Sequence, residues 1–482
     1  MKTAILAILF SILVTCNTYG SIKLPAILSD NMVLQQKGNA NLWGWAEPNR
    51  KVTVKPSWSK KSYSTIANAE GKWKLAIKTP VAGGPYDIII SDGKPAKLSN
   101  VLIGEVWICS GQSNMQHAMR GYAGQPVIGA VDFINKAKPS CPIRIANVSH
   151  EYNTIPQTDC KVIWELNTPE VVDIATAVGY FFAHYVHSVL DVPIGIIHTS
   201  WSSSKIQAWM GQEALSDSFP EIDLSGKKIE GTLDLPQYRP TQLYNAMFAP
   251  ICNFTVRGTL WYQGESNIKE PKQYERMQIA LINQWRKELS NPEMPFYYVQ
   301  IAPYKYDGPT SSSIGYFYEA QADVQSKVKN TGMVISNDIG ELDNIHPANK
   351  KVIGERLANF ALAETYGVKI NYKSPAYQSI SIKNDTVTIE FKDSETGVHV
   401  SHGEKVVGFE LAGMDQVFYP ATVKFGPFGK NVELMAAEVK KPVAVRYCFR
   451  NGQIGNIYNN YGLPLTPFRT DNWKPVQVKL DK

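Results

Sequence analysis

Ser113 lies in Ser110-Gly111-Gln112-Ser113-Asn114-Met115, directly after an apolar run ending at Cys109. Ligands of open α/β sheets bind beyond the carboxyl ends of the strands, so a serine here stands where a nucleophile would, near the start of a helix. The segment is not the GxSxG elbow, because Met115 takes the second glycine position. Spacing alone leaves two readings: a nucleophile, or a serine that merely caps a helix. A nucleophilic serine needs a base, and eight histidines are available. His346, in Asp343-Asn344-Ile345-His346-Pro347, precedes a helix, and the carboxylate three residues back can orient an imidazole; the order Ser, Asp, His is a triad order. The competing reading makes Asp343 a turn cap and His346 an exposed loop residue. His117, one helical turn after Ser113, is the rival base, but no carboxylate is at hand to orient it. His184 and His187 share an apolar helix face without a third ligand, so no metal site is expected. His150 reads as a loop residue, His198 as structural at a strand end, and His399 and His402 as members of a β region.

A second polar cluster, Gln263-Gly264-Glu265-Ser266-Asn267, follows the apolar Leu260-Trp261-Tyr262. A side-chain amide there can donate to a developing oxyanion; the alternative is a polar turn with no catalytic duty. Glu265 reads as a hydrogen-bond acceptor behind the reacting groups, because Asp343 already supplies a carboxylate. The rival chemistry is a paired-carboxylate glycosidase using Glu265 with Asp338 or Asp343, and it leaves Ser113 unexplained.

These residues must be carried by a sheet. Val106 to Cys109, Ile194 to His198, Thr259 to Tyr262, Phe296 to Ile301 and Met333 to Ser336 are near-continuous apolar runs, as strands buried on both faces require. Helical stripes lie between them: Val178, Phe181, Phe182, Tyr185 and Val189, running to Asp191, and then Tyr274, Met277, Leu281 and Trp285. Strands alternating with helices predict a doubly wound parallel α/β layer. Its last helix is expected from Pro347 to Tyr366-Gly367. Alternation at Trp73, Leu75 and Ile77 and at Tyr86, Ile88 and Ile90 predicts a small β domain before it. After Ser374-Pro375 the β pattern returns, with a hairpin about Asn384-Asp385.

At roughly 150 residues per domain, 482 residues favour about three. The division expected is 1–20 signal peptide, 21–102 N-terminal β domain, 103–373 α/β catalytic domain and 374–482 C-terminal β domain. Apolar residues are 44% and charged residues 19%, which excludes a wholly disordered, collagen-like or coiled-coil chain. A net charge of +6 without concentrated basic runs does not point to nucleic acid. Lys2 and the apolar run Ala4 to Val14, ending in Thr18-Tyr19-Gly20, read as a secretory leader too short to span a bilayer. A secreted or periplasmic location is expected, with lipidation at Cys16 disfavoured by the preceding Thr15. The five cysteines after the leader show no CxxC spacing and read as free thiols, with one Cys141–Cys160 bridge left open.

Gly104-Glu105-Val106-Trp107 leading into GQSNM, VPIGII followed by Ser200-Trp201, LYNAMFAP, WYQGESN, PFYYVQIAP, and DNIHPANK followed by GERLA together resemble the sialate O-acetylesterases of the SGNH/GDSL hydrolase superfamily. GFELAG, PVAVRY and GLPLTPFRTDNW extend the likeness over essentially the whole mature chain. The resemblance implies Ser113 as nucleophile, His346 as base, Asp343 as its partner and Gln263 as oxyanion donor, with an SGNH-like sheet, flanking sandwich-like β domains and no metal or other cofactor. The Ser113 N–H and an amide near Ser203 complete the expected oxyanion hole, with Gln112, Asn114, Glu265 and Asn267 behind it. The substrate implied is an O-acetylated sugar: sialic acid, or alternatively a plant polysaccharide such as xyloglucan or xylan. One departure stands out. Relatives commonly carry two glycines after the Ser-Trp pair, where this chain has Ser202-Ser203-Ser204, which keeps a catalytically inert carbohydrate-binding relative as a further alternative.

Overall fold

A computed structural model describes residues 22–225 and 235–474; the expected leader and Cys16 lie outside the described residues. The central sheet runs in the order Thr331–Val334, Phe296–Val299, Gly258–Tyr262, Pro95–Gly111, Ile194–Ser200, Ile143–Asn147, Trp164–Leu166. Every neighbouring pair is parallel except the last, so an antiparallel edge closes a parallel core.

Alternation along the strand Pro95–Gly111 explains the layering. Val106 and Ile108 join one core with Tyr274, Met277 and Leu281 of the helix Pro271–Glu288. Trp107 and Cys109 join a second core with Val178, Phe181 and Phe182 of the helix Ala177–Leu190 and with Ile353 and Leu357 of the helix Lys350–Phe360. Helices therefore cover both faces. A strand covered twice has no polar face, so it reads as one apolar run, and each such Ile, Phe or Leu removed from water contributes roughly 1.5–3 kcal/mol.

The same strand continues backwards into the N-terminal β layer. Its early residues pair antiparallel with Gly83–Ser91 and, from Leu102 to Gly104, parallel with Val33–Gln35. The boundary expected between 102 and 103 thus falls inside one 17-residue strand; the one charged residue of Val101 to Ile108, Glu105, is buried and satisfied by Gln35, Gln36 and Arg257, so it does not break the strand. Further β sheets follow the α/β layer, with their own core built on Val387, Ile389, Leu411, Val432 and Tyr447. The hairpin at Asn384 joins Ala376–Lys383 to Thr386–Lys392, with Asn384 in left-handed backbone at φ 57°. The last helix of the α/β layer starts at Lys350 rather than at Pro347. Ala348 N is held by Glu341 Oε1 at 2.7 Å, and the Asn349 side chain caps the helix by accepting from Val352 N. Cys109, Cys141, Cys160, Cys252 and Cys448 are all free thiols, so Cys141 and Cys160 are not bridged.

Register decides what meets at the strand ends. Ser200 and Tyr262 both lie opposite Gly111, which delivers Gln112-Ser113, Trp201-Ser202-Ser203 and Gln263-Gly264-Glu265 side by side. Gly111 is obligatory there: its φ is 141°, and an added Cβ would lie 2.1 Å from Tyr262 O.

Candidate active site

Ser113 opens a one-turn helix, Ser113–Gln116, with Gln112 in the capping position. The Ser113 side chain is not a helix cap and makes no hydrogen bond with the described residues, while its carbonyl accepts from His117 N at 2.8 Å. As the first residue of a helix its own N–H has no intrahelical acceptor, which leaves a donor beside the hydroxyl. Ser113 itself is 5% exposed.

Gln112 locks the turn. Its Oε1 accepts from Gln263 Nε2 at 3.2 Å and from Gly264 N and Ser266 N at 3.3 Å each. Gln263 Nε2 also donates to Ser204 O at 3.0 Å and Asn267 Oδ1 at 2.9 Å, so its hydrogens all face acceptors inside the protein. Fully buried, Gln263 presents no free donor to an oxyanion. The structure therefore corrects that expectation: the amide is a brace between three loops. Asn267 extends the brace, accepting from Ile206 N at 3.0 Å.

Asn114 ties the Ser113 turn to the His346 loop. Its Nδ2 donates to Ile345 O at 3.0 Å and to Glu265 Oε1 at 2.5 Å, and its Oδ1 accepts from Lys350 Nζ. Lys350 is buried inside this polar knot, and burial holds it down to about 7 against the opposing pull of Glu265 and Glu341. Burial pushes the Glu265 carboxyl above its ordinary value. Neither Lys350 nor Gln125 is singled out by sequence spacing. An amphipathic helix start and a polar loop give no sign that they will converge here.

The imidazole of His346 is oriented by Gln125. His346 Nδ1 lies 2.7 Å from Gln125 Oε1, an oxygen that can only accept, so Nδ1 carries the proton and Nε2 keeps a lone pair. Asp343 does not make this contact. Its side chain is 86% exposed and pairs with Lys305, because the turn closed by Glu341 and Asn344 points Asp343 to solvent. Burial, and then the Lys350 charge, hold His346 down to about 4, which keeps it neutral near pH 7. Its ring meets His117 and Tyr122 edge-on, at centroid distances of 5.8 and 5.7 Å. His117 is fully buried, stacked on Tyr122 at 4.3 Å, with Nε2 on Gln125 O at 3.1 Å; burial holds it down to about 3. Its ring is enclosed between those of Tyr122 and His346.

Ser203 has φ 60°, the left-handed region in which a side chain costs energy and glycine does not. This turn requires left-handed backbone at one position, which the chain meets with serine. Ser202 N donates to Gln116 Oε1 at 2.5 Å and Ser203 O accepts from Ser266 Oγ at 2.9 Å, so both sides of the turn are pinned. The Ser203 N–H makes no hydrogen bond with the described residues. Next to it, Trp201 stacks on His150 at 4.5 Å, and His150 Nε2 bonds Ser200 O at 2.9 Å. Among the described residues no group of three His, Cys, Asp or Glu side chains could hold a metal ion, and no helix is long and apolar enough to cross a membrane.

Residues 103–363, which contain this whole constellation, match the model of the carbohydrate esterases described as sialic acid-specific acetylesterases. The chain belongs to this family. As a member of the sialic acid-specific acetylesterase family it is an esterase, a hydrolase of the carbohydrate-esterase type. The sialate O-acetylesterase of Homo sapiens is 27% identical over 409 residues, covering 75% of this chain and 74% of the relative. That of Mus musculus is 25% identical over 421 residues, covering 75% and 76%. A solved carbohydrate acetylesterase from Xanthomonas citri superposes with a TM-score of 0.84 at 33% identity, over 94% of this chain and 100% of that one. Family membership accounts for the esterase chemistry, while the geometry above belongs to this chain.

Proposed function

We propose a secreted SGNH-type enzyme that removes O-acetyl groups from sialic acid through an acetyl-enzyme formed on Ser113. Ser113 Oγ attacks the acetyl carbonyl carbon as His346 Nε2 takes its proton, and the carbonyl oxygen becomes an oxyanion. The Ser113 and Ser203 N–H groups are its donors, both lacking protein partners among the described residues. The tetrahedral species collapses, the sugar oxygen leaves with the proton from His346, and water activated by the same nitrogen releases acetate. Gln125 fixes the imidazole tautomer, and Gln112, Asn114, Gln263 and Asn267 hold the three loops in register. The observation that carries this reading is the His346 to Gln125 bond, which leaves Nε2 as a neutral acceptor on a loop tied to the Ser113 turn through Asn114 Nδ2 and Ile345 O, while the Ser113 side chain caps nothing. The leader-like run at residues 4–14 supports export. The division at 102/103 is proposed as a functional one along the shared strand Pro95–Gly111, and that at 373/374 as the start of the C-terminal unit, in the connection before Ala376–Lys383.

The Xanthomonas citri relative is described as a carbohydrate acetylesterase with no particular sugar named, and a second reading is that the same chemistry serves an acetylated polysaccharide such as xyloglucan or xylan. A panel of acetylated sialic acid, xylan and xyloglucan, scored by acetate release from the parent and Ser113→Ala proteins, separates the two. Release from none of them, with a chromogenic acetyl ester also untouched, would sink the mechanism.

A further inference from the structure

The strand Asn39–Trp45 pairs antiparallel with Lys72–Lys78, placing Trp43 opposite Lys74 and Trp45 opposite Lys72. Side chains alternate across a strand, so Trp43, Trp45, Lys72 and Lys74 share one face, while Ala40, Leu42 and Ile77 enter the buried core on the other. Trp43 is nearly buried and joins the core as well, while Trp45 is half-buried and stands outside it. Over their face close the segment about Pro250 and Asn253 and the loop at Gln157 and Thr158, leaving a groove of about 380 Å³.

Charge in this groove has one sign. No Asp or Glu lines it, Lys74 Nζ donates to Asn253 Oδ1 at 2.5 Å, and Lys23 stands 5.3 Å from the ring centroid of Trp45. Lys72 is exposed directly across the ladder from half-buried Trp45. Asn68 Nδ2, Gln157 Oε1 and the Thr158 hydroxyl form no hydrogen bond with the described residues, although Asn68 Oδ1 and Gln157 Nε2 are both engaged. An aromatic wall, unspent amide and hydroxyl groups, and lysines without a lining carboxylate suit a ring that is apolar on one face, hydroxylated at its rim and negatively charged.

We propose that this groove is an accessory site for a carboxylate-bearing sugar unit of the glycan on which the enzyme acts. Sialic and uronic acids share that chemistry. The choice of a sugar as occupant rests on the carbohydrate-esterase assignment. The loop that supplies Gln157 begins at His150, which stacks on Trp201 beside the oxyanion turn. Seven residues separate the two positions, a span of at most about 25 Å when fully extended. Backbone bonds from Asn153 N to Gln242 O at 3.2 Å and Gln157 N to Asn245 O at 2.8 Å pin the loop between them. The groove thus stands in a fixed relation to the catalytic turn, as a site for another unit of one oligosaccharide must.

Calorimetric titration of the intact protein with sialyllactose, glucuronic acid-substituted xylo-oligosaccharide and unsubstituted xylohexaose tests this. Binding of one of the two acidic glycans, about tenfold weaker in Trp45→Ala, weaker in Lys72→Gln and weaker at high salt, supports the site and names the sugar. The unfolding midpoint controls for folding, and Lys72→Gln, on an exposed side chain, decides the matter if Trp45→Ala does not fold. The proposal is overturned by no binding of either acidic glycan, by equal binding of xylohexaose, or by affinities that both substitutions leave unchanged. The titration needs no turnover, so it reads the groove whether or not Ser113 is the nucleophile.

Discussion

His346 and the side-chain oxygen of Gln125 are 2.7 Å apart, so the imidazole proposed as the base is oriented by a neutral amide rather than by a carboxylate. An amide fixes the tautomer as an acid would, but supplies no negative charge to steady the imidazolium that forms during reaction.

Gln125→Ala should lower kcat at least about tenfold, part of the roughly 10⁴ lost when a charged triad partner is replaced. Asp343→Asn should change kcat far less, because its carboxylate is exposed and paired with Lys305. Steady-state kinetics of the two variants decide between them: a larger loss for Asp343→Asn would restore Asp343 as the orienting group.

The acid limb of kcat/KM should lie near pH 4, well below the ordinary histidine value, because burial and Lys350 hold His346 down to about 4. Removing the Lys350 charge favours the imidazolium, so Lys350→Met should move that limb to higher pH. An acid limb unmoved in a folded Lys350→Met enzyme would mean that His346 does not govern it.

Ser203→Gly should raise stability by about 1 kcal/mol or less, relieving the cost of a side chain at φ 60° while adding back glycine's unfolded-state entropy. Turnover should be nearly unchanged, since the backbone N–H remains. Chemical denaturation together with acetate release checks both halves; strong inactivation would assign the Ser203 hydroxyl a role in catalysis or binding.

Stability should fall as pH drops from about 6.5 to 3. His117 and His198 are each buried and held down to about 3, so the unfolded chain takes up protons that the native state refuses. Their contribution is fully present above pH ~6.5, and at pH 5 about 2 kcal/mol has been lost for each. Urea midpoints across this range measure it, and a flat profile would contradict neutral buried imidazoles.

The sequence alone determined the layer of parallel strands, because a strand buried on both faces must be apolar throughout, and Val106 to Cys109 and Thr259 to Tyr262 are. It also marked the loops that meet, since Gln112 to Asn114 and Gln263 to Asn267 follow strand ends, where the backbone leaves the sheet and polar side chains gather. Tertiary structure alone decided which side chains touch. Gln125 lies 221 residues from His346, and Lys350 lies 236 from Asn114, separations at which local periodicity carries no information. Asp343 is three residues from His346, and proximity in sequence suggested a pair that the turn about Asn344 keeps apart. The continuous strand Pro95–Gly111 was hidden for the complementary reason: its neighbours change halfway along, its pattern turns from half-exposed to wholly buried near Val101, and in sequence such a change looks like a domain boundary.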